Sequence, residues 1–192
     1  AERIRVELTK LLVSKEAGRI RDAYKTGMTK YFLPELDAAM QTEQKNPHHI
    51  YTVGEHSICG IELMNCFFGI TSDKKIYDKI PENVLETAKQ LAAKMDKKQQ
   101  TVLCMTMLLH DIAKPAVMTV DEKGIGHFIG HPAQSEKMAK KIMRRLTFDN
   151  DSILKACRLI RFHDYRMEDK SRAFRRAVNS VFGSVQMAWK EY

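Results

Sequence analysis

Cysteine is scarce and scattered in this chain. The four present, Cys59, Cys66, Cys104 and Cys157, form no CxxC pair and sit among apolar helical residues. That excludes a zinc ribbon or a disulfide scaffold, and it reads as small buried hydrophobes in a reducing cytoplasm. No apolar run approaches the ~20 residues that span a bilayer, so no membrane partner is expected. The opening AERIRVEL is charged at once, has no signal-peptide core and lacks an initiator methionine, so the chain is expected to be processed or a fragment. Internal repeats and low-complexity tracts are also missing.

What is present suits one soluble domain: 192 residues with an ordinary share of hydrophobic and charged side chains. The net charge of +8 is uneven. Basic residues crowd the last third, from Lys137, Lys140, Lys141, Arg144 and Arg145 through Arg158, Arg161 and Arg166 to Arg176. This bias points to a polyanionic partner such as RNA or a phosphorylated substrate. Solvated helix faces would produce the same count, and charge alone does not separate the two.

Hydrophobic spacing is helical almost throughout. Glu2 to Val13 places Ile4, Leu8, Leu11 and Leu12 on one face. Ser14 is expected to cap a short helix ended by Gly27. Tyr31 to Met40 reads as helix interrupted at Pro34. After the polar linker QTEQKNPHHIY, Thr52 and Glu55 form a T-x-x-E capping box for a helix to about Gly69. Thr71 to Lys98 reads as a second helical layer, with Pro81 near a helix start and Val84, Leu85, Ala88, Leu91 and Ala92 as its apolar face. A central helix is expected from Gln99 to Pro115. Ala116 to Ile129 holds two β-like runs around DEKG, a small hairpin. Further helices are expected from Pro132 to Leu146, from a cap at Asp149 or Asn150 to Phe162, and from Ser171 onward. The expected fold is an all-α bundle with a minor hairpin, divided as a helical lead-in (1–45), a main domain (46–168) and a C-terminal extension (169–192).

The chemistry gathers at the end of the central helix, in LLHDIAKP. An imidazole and a carboxylate, His110 and Asp111, are costly beside a buried helix unless something satisfies them, and a divalent cation would satisfy both. Lys114 follows one turn later, where it could meet a phosphate. Taken alone, the pair could equally close a surface turn. But metal-capable residues recur at the edges of four helices: His56, His110 with Asp111, His131, and His163 with Asp164. Four ligands suit one octahedral ion, and six could hold two ions bridged by Asp111.

His56, His110, Asp111 and Asp164, read as H…HD…D, resemble the HD superfamily of metal-dependent phosphohydrolases. ERIRVELTKLL, YFLPEL, NPHHIYTVGEHS, LLHDIAKP, HFIGHPAQS and LIRFHDY together resemble the body, with part of the neck, of bacterial tRNA nucleotidyltransferases, the CCA-adding enzymes and their poly(A) polymerase-like relatives. That similarity covers roughly residues 2 to 180. Two departures stand out. No Gly-Ser stretch leads to a D-x-D carboxylate pair, so nucleotide addition is not expected from this chain alone. Ala113 stands where this HD motif often has glycine.

The resemblance implies metal-dependent hydrolysis of phosphomonoesters, 2′-nucleotides or 2′,3′-cyclic phosphates, with one or two ions of Mg²⁺, Mn²⁺, Ni²⁺, Fe²⁺ or Co²⁺. His56, His110, Asp111, Asp164, His131 and His163 would be ligands. Asp111 and Lys114 would be catalytic, and Lys114, His127, Arg161 and Arg166 would face substrate or RNA. His48 and His49 are weaker candidates on a surface loop. The competing reading keeps the fold but makes the chain a tRNA-supporting body with an idle site.

Overall fold

The computed structural model describes residues 1–45, 50–72 and 80–164. Helix α1 (Glu2–Leu12) buries Leu8 and Leu12. A 3₁₀ turn (Ala17–Arg19) leads into α2 (Ile20–Lys25). Gly27, at φ +70°, stops α2: the Gly27 amide reaches the Tyr24 carbonyl and the Met28 amide reaches that of Ala23, the paired closure that a left-handed residue allows. Pro34 opens helix α3 (Pro34–Gln41) rather than interrupting one, because its missing amide is no loss in the first turn. The Thr52 hydroxyl caps α4 (Val53–Phe67) by accepting from the Glu55 amide.

Helix α5 (Glu82–Ala92) packs against α4 through half-buried Leu85 and Ala88 and buried Ala92, a narrower face than expected. Its apolar residues include Val84 and Leu91, which are 49% and 43% exposed, and Ala92 alone of them is buried. The rest of that layer falls partly outside the described residues. Helix α6 (Lys97–Leu109) starts two residues earlier than the periodicity suggested, because Asp96 and Gln99 make a reciprocal capping box. It also ends earlier, at Leu109. Pro115 does not stop this helix but opens a separate short one, α7 (Lys114–Val117), after a turn through His110–Ala113. Strands β1 (Thr119–Val120) and β2 (Gly126–His127) pair antiparallel, with Thr119 opposite His127. Helices α8 (His131–Arg145) and α9 (Asn150–Phe162) complete the bundle, the latter capped by Asp149.

Helix α6 is buried on several sides because α1, α4 and α9 all pack against it. Val102, Met105, Leu108 and Leu109 meet Ile58 and Ile61 of α4, Ile142 and Met143 of α8, and Ile153 and Ile160 of α9 in one continuous core. Full burial of each such side chain stabilises by about 1.5–3 kcal/mol. Thr106 tolerates burial because its hydroxyl donates to the Val102 carbonyl one turn back. Cys104 lies in the same core, where burial pushes its thiol up to about 12. Leu8, Leu12, Ile20, Leu33 and Leu36 of the lead-in belong to this core as well.

Polar staples lock the lead-in to α4. Asn65 donates to the Leu12 and Ser14 carbonyls at 2.8 and 3.0 Å. Arg21 forks onto Glu55 and Glu62. The Glu55 side chain is thus drawn to Arg21, so only half of the expected T-x-x-E box is present.

Candidate metal centre

His110 keeps a right-handed helical conformation, φ −60° and ψ −35°, just past the end of α6, and both it and Asp111 are buried. Asp111 is 2% exposed, and its neighbours Ile112 and Ala113 are buried with it. Ala113 adopts an ordinary right-handed conformation, φ −91°, and its amide donates to the buried Ser135 hydroxyl on α8. Alanine in place of glycine therefore carries no backbone strain here.

Four imidazoles converge on the Asp111 carboxylate. On the Oδ1 side lie His131 Nε2 at 3.1 Å and His163 Nε2 at 3.4 Å, themselves 3.2 Å apart. On the Oδ2 side lie His110 Nε2 at 3.2 Å and His56 Nε2 at 4.0 Å. Three of the rings hang from the carbonyl three residues earlier. His110, His131 and His163 each place Nδ1 2.7–2.8 Å from the oxygens of Met107, Phe128 and Ile160. A carbonyl only accepts, so each Nδ1 carries the proton and donates it, which turns a lone-pair Nε2 toward Asp111 in the neutral ring.

Lone pairs facing a carboxylate and each other repel unless a cation joins them. With neutral rings, Asp111 Oδ1 is a buried acceptor without a donor. The three donor atoms on that side form a triangle with edges of 3.1, 3.2 and 3.4 Å. Ligands about 2.1 Å from one ion are separated by roughly 3.0–3.4 Å, so the triangle fits a divalent metal. Among the described residues two sets could each hold an ion, His56–His110–Asp111 and Asp111–His131–His163, with Asp111 common to both. Burial pushes the Asp111 carboxyl up, but once His110, His131 and His163 are protonated their Nε2–H groups donate to it, outweigh burial and hold the group far below the usual carboxylate range. For His163, burial opposes charge, yet its contacts with Asp111 and with the Ile160 carbonyl raise its pKa.

Lys114 is buried beside the same carboxylate. Its Nζ lies 2.8 Å from Asp111 Oδ2 and 2.9 Å from Gln44 Oε1, with the Phe128 ring centre 5.2 Å away. Two of its three protons are therefore directed at protein groups rather than toward an incoming phosphate. Gln44 is a residue that the sequence reading missed. It is 2% exposed and donates to the Tyr51 carbonyl, but a glutamine in a polar linker carries no periodic signal.

The remaining candidates lie elsewhere. Asp164 is exposed and belongs to neither ligand set. His163, just past the end of α9, belongs to one of the sets, and the adjacent Asp164 charge contributes to raising its pKa. His127 is paired with Asp121 in the hairpin at 2.9 Å, away from the cluster. Arg161 is exposed, 3.9 Å from Glu136. His48, His49 and Arg166 fall outside the described residues.

Comparison with known proteins matches these features. A family model described as "Probable RNA and SrmB- binding site of polymerase A" covers residues 1–40. The CC-adding tRNA nucleotidyltransferase of Thermus thermophilus is 27% identical over 91% of this chain. The bifunctional uridylyltransferase/uridylyl-removing enzyme of Nitrobacter hamburgensis is 28% identical over 72%. The chain spans 34% of the first relative and 13% of the second. No solved structure matches. Among the described residues no helix is long and apolar enough to cross a membrane. The HD domain model matches residues 81–186, a span that holds His110, Asp111, His131 and His163 but not His56. Since that match covers more than half of its length, the chain belongs to the HD domain family.

Proposed function

We propose that this chain is a metal-dependent phosphohydrolase acting on phosphomonoesters, 2′-nucleotides or 2′,3′-cyclic phosphates. The observation that carries this reading is the convergence of three carbonyl-anchored imidazoles on the buried Asp111. Asp111, His131 and His163 would hold one divalent ion, and His56 and His110 flank the other carboxylate oxygen. A bound divalent cation supplies a hydroxide near neutral pH and polarises the phosphoryl oxygens. The protein's share is orientation. Met107, Phe128 and Ile160 fix the tautomer of each ring, and Asp111 sets the negative centre around which the nitrogens gather. His56, with a side chain 39% exposed, and His163, at 20%, stand nearer solvent than the buried Asp111 and mark the side from which a phosphate would enter.

Purified protein supplied with Mg²⁺, Mn²⁺, Ni²⁺, Co²⁺ or Fe²⁺ is expected to hydrolyse bis(p-nitrophenyl) phosphate or a 2′,3′-cyclic nucleotide. A chelator should abolish this, and so should Asp111→Ala. Binding of metal without hydrolysis of any of these substrates would favour a second reading, a non-catalytic tRNA-binding body. The RNA-binding family match over residues 1–40 and the similarity to a tRNA nucleotidyltransferase support that alternative. It predicts tRNA binding that weakens steeply with salt. In both readings no nucleotide is added to a tRNA lacking its 3′ end.

A further inference from the structure

The metal centre lies at one end of the seam between α8 and α9, which pack closely against each other. His131 opens α8 and His163 follows the last residue of α9, and their Nε2 atoms are 3.2 Å apart. Further along the seam, the Cys157 thiol of α9 donates to the Glu136 carbonyl of α8 at 3.7 Å. Burial raises the Cys157 pKa and Glu136 adds to the rise, while Lys140 and Arg144 oppose it. Glu136, Lys140 and Arg144, one turn apart, therefore form the row of α8 that borders α9. Exposed Lys137 and Lys141 form the adjoining row. Glu136 is the only acid in α8, and Arg161 of α9 faces it at 3.9 Å. Arg145 is taken by Glu35. The other four cations of α8 are exposed and have no ion pair among the described residues. Elsewhere exposed charges are matched within one helix, as in Glu2–Arg5, Glu7–Lys10 and Asp151–Lys155. Like charges one turn apart destabilise a helix, and a bound polyanion would offset that loss.

We infer that the α8–α9 seam holds the backbone of a single-stranded RNA end, so that the phosphate presented to the metal centre is the terminal one of a chain. This rests on the hydrolytic reading above and names its substrate. From His131 to Arg144 the helix extends about 20 Å, and one row of charge along it matches one strand, whereas a duplex presents two lines of phosphates. Arg161 marks the metal end of the row and Arg144 the far end. The strand is RNA because a 2′,3′-cyclic phosphate needs the ribose 2′-hydroxyl. At such an end a water oxygen bonds to phosphorus and one ribose P–O bond breaks. The freed ribose oxygen takes up a proton from that water, and a terminal monoester remains.

Kinetics with Mn²⁺-loaded protein should compare a short oligoribonucleotide ending in a 2′,3′-cyclic phosphate with the 2′,3′-cyclic mononucleotide. Fluorescence anisotropy should follow a labelled oligoribonucleotide ending in a 3′-hydroxyl, which offers nothing to cleave. The wild type should show a KM lower by ~10-fold or more for the oligonucleotide, and its affinity for the 3′-hydroxyl strand should fall with salt. Lys140→Gln/Arg144→Gln should raise that KM and weaken strand binding by ~10-fold, flatten the salt slope by roughly 1.4, and change mononucleotide kinetics by less than ~2-fold. Glutamine suits an exposed helix position, so the fold should be kept, as checked by circular dichroism. Lys89→Gln/Lys94→Gln, an equal charge loss on and just after α5, should leave strand binding as in the wild type. Equal KM for the two substrates in the wild type, or undiminished strand binding in the seam variant, would overturn the inference while leaving the hydrolytic reading intact. Hydrolysis of neither substrate by metal-loaded protein would overturn the hydrolytic reading, and with it the terminal phosphate as substrate.

Discussion

Two charged clusters flank helix α4, and they are built on opposite principles. Around Arg21, one guanidinium meets two carboxylates, Glu55 and Glu62, through a fork of bonds at 2.8–3.1 Å. Hydrogen bonding to Glu62, with Glu55 adding to it, outweighs burial and raises the Arg21 pKa above its already high ordinary value. Donors and acceptors match there, and the cluster wants nothing further. Around Asp111, one carboxylate meets four imidazoles and an ammonium, and lone pairs are left facing one another. A structural ion pair satisfies itself, whereas a binding site leaves an electrostatic demand that only a ligand meets.

The sharpest way to test that contrast is to neutralise each centre in turn. Asp111→Asn keeps the shape but removes the charge, so metal affinity and any hydrolysis should fall by about 10³-fold or more, with the helical circular dichroism retained. Arg21→Met should do the reverse. It strands two carboxylates that are about a quarter exposed, 29% and 27%, at a cost of about 2 kcal/mol, less than a fully buried pair would lose. Its melting temperature should drop by roughly 4–8 °C, while Mn²⁺ affinity changes by less than ~3-fold. If Arg21→Met abolished metal binding with the fold intact, the division between the two clusters would be wrong.

A smaller effect is expected at a third carboxylate, which belongs to neither cluster. Asp149 caps α9 by accepting from the Ser152 amide and hydroxyl, and those bonds hold its pKa below the usual range. Asp149→Ala should cost about 1 kcal/mol near neutral pH. A depressed carboxylate contributes its stability above the unfolded-state value near ~4, and loses it as the pH falls through the folded-state value. The gap in denaturation midpoint between Asp149→Ala and wild type should therefore narrow on acidification. A gap that widened would assign the loss to packing instead.

Much of this fold was legible because helix ends announce themselves. Thr52, Asp149 and Gly27 each act through one local bond or one backbone conformation, and local chemistry is what a sequence displays. The width of the apolar face on helix α5 was overread for the complementary reason. Amphipathic spacing establishes that a face exists but not what it meets, and Val84 and Leu91 meet solvent in the described structure. At the site, the recurrence of histidines at helix edges was visible. Which of His163 and Asp164 stands nearest Asp111 was not, since that depends on side-chain placement just past the end of α9. Gln44 was the least visible of all. It reaches Lys114 across 70 positions of chain, and no local rule connects a linker glutamine to a buried lysine.

The two-residue strands look too slight to matter, yet β2 lies directly against the Gln44 segment. The Gly126 amide donates to the Lys45 carbonyl, and a side chain at Gly126 would begin 2.5 Å from the Gln44 carbonyl oxygen. Opening the hairpin therefore removes the backing of the residue that clamps Lys114. Hydrogen exchange at the Gly126 amide should report this motion, slowing whenever the Gln44–Lys114 contact is strengthened and quickening when it is cut. A surface hairpin with almost no core of its own thereby bears on the buried centre through the backbone of Gln44 and Lys45.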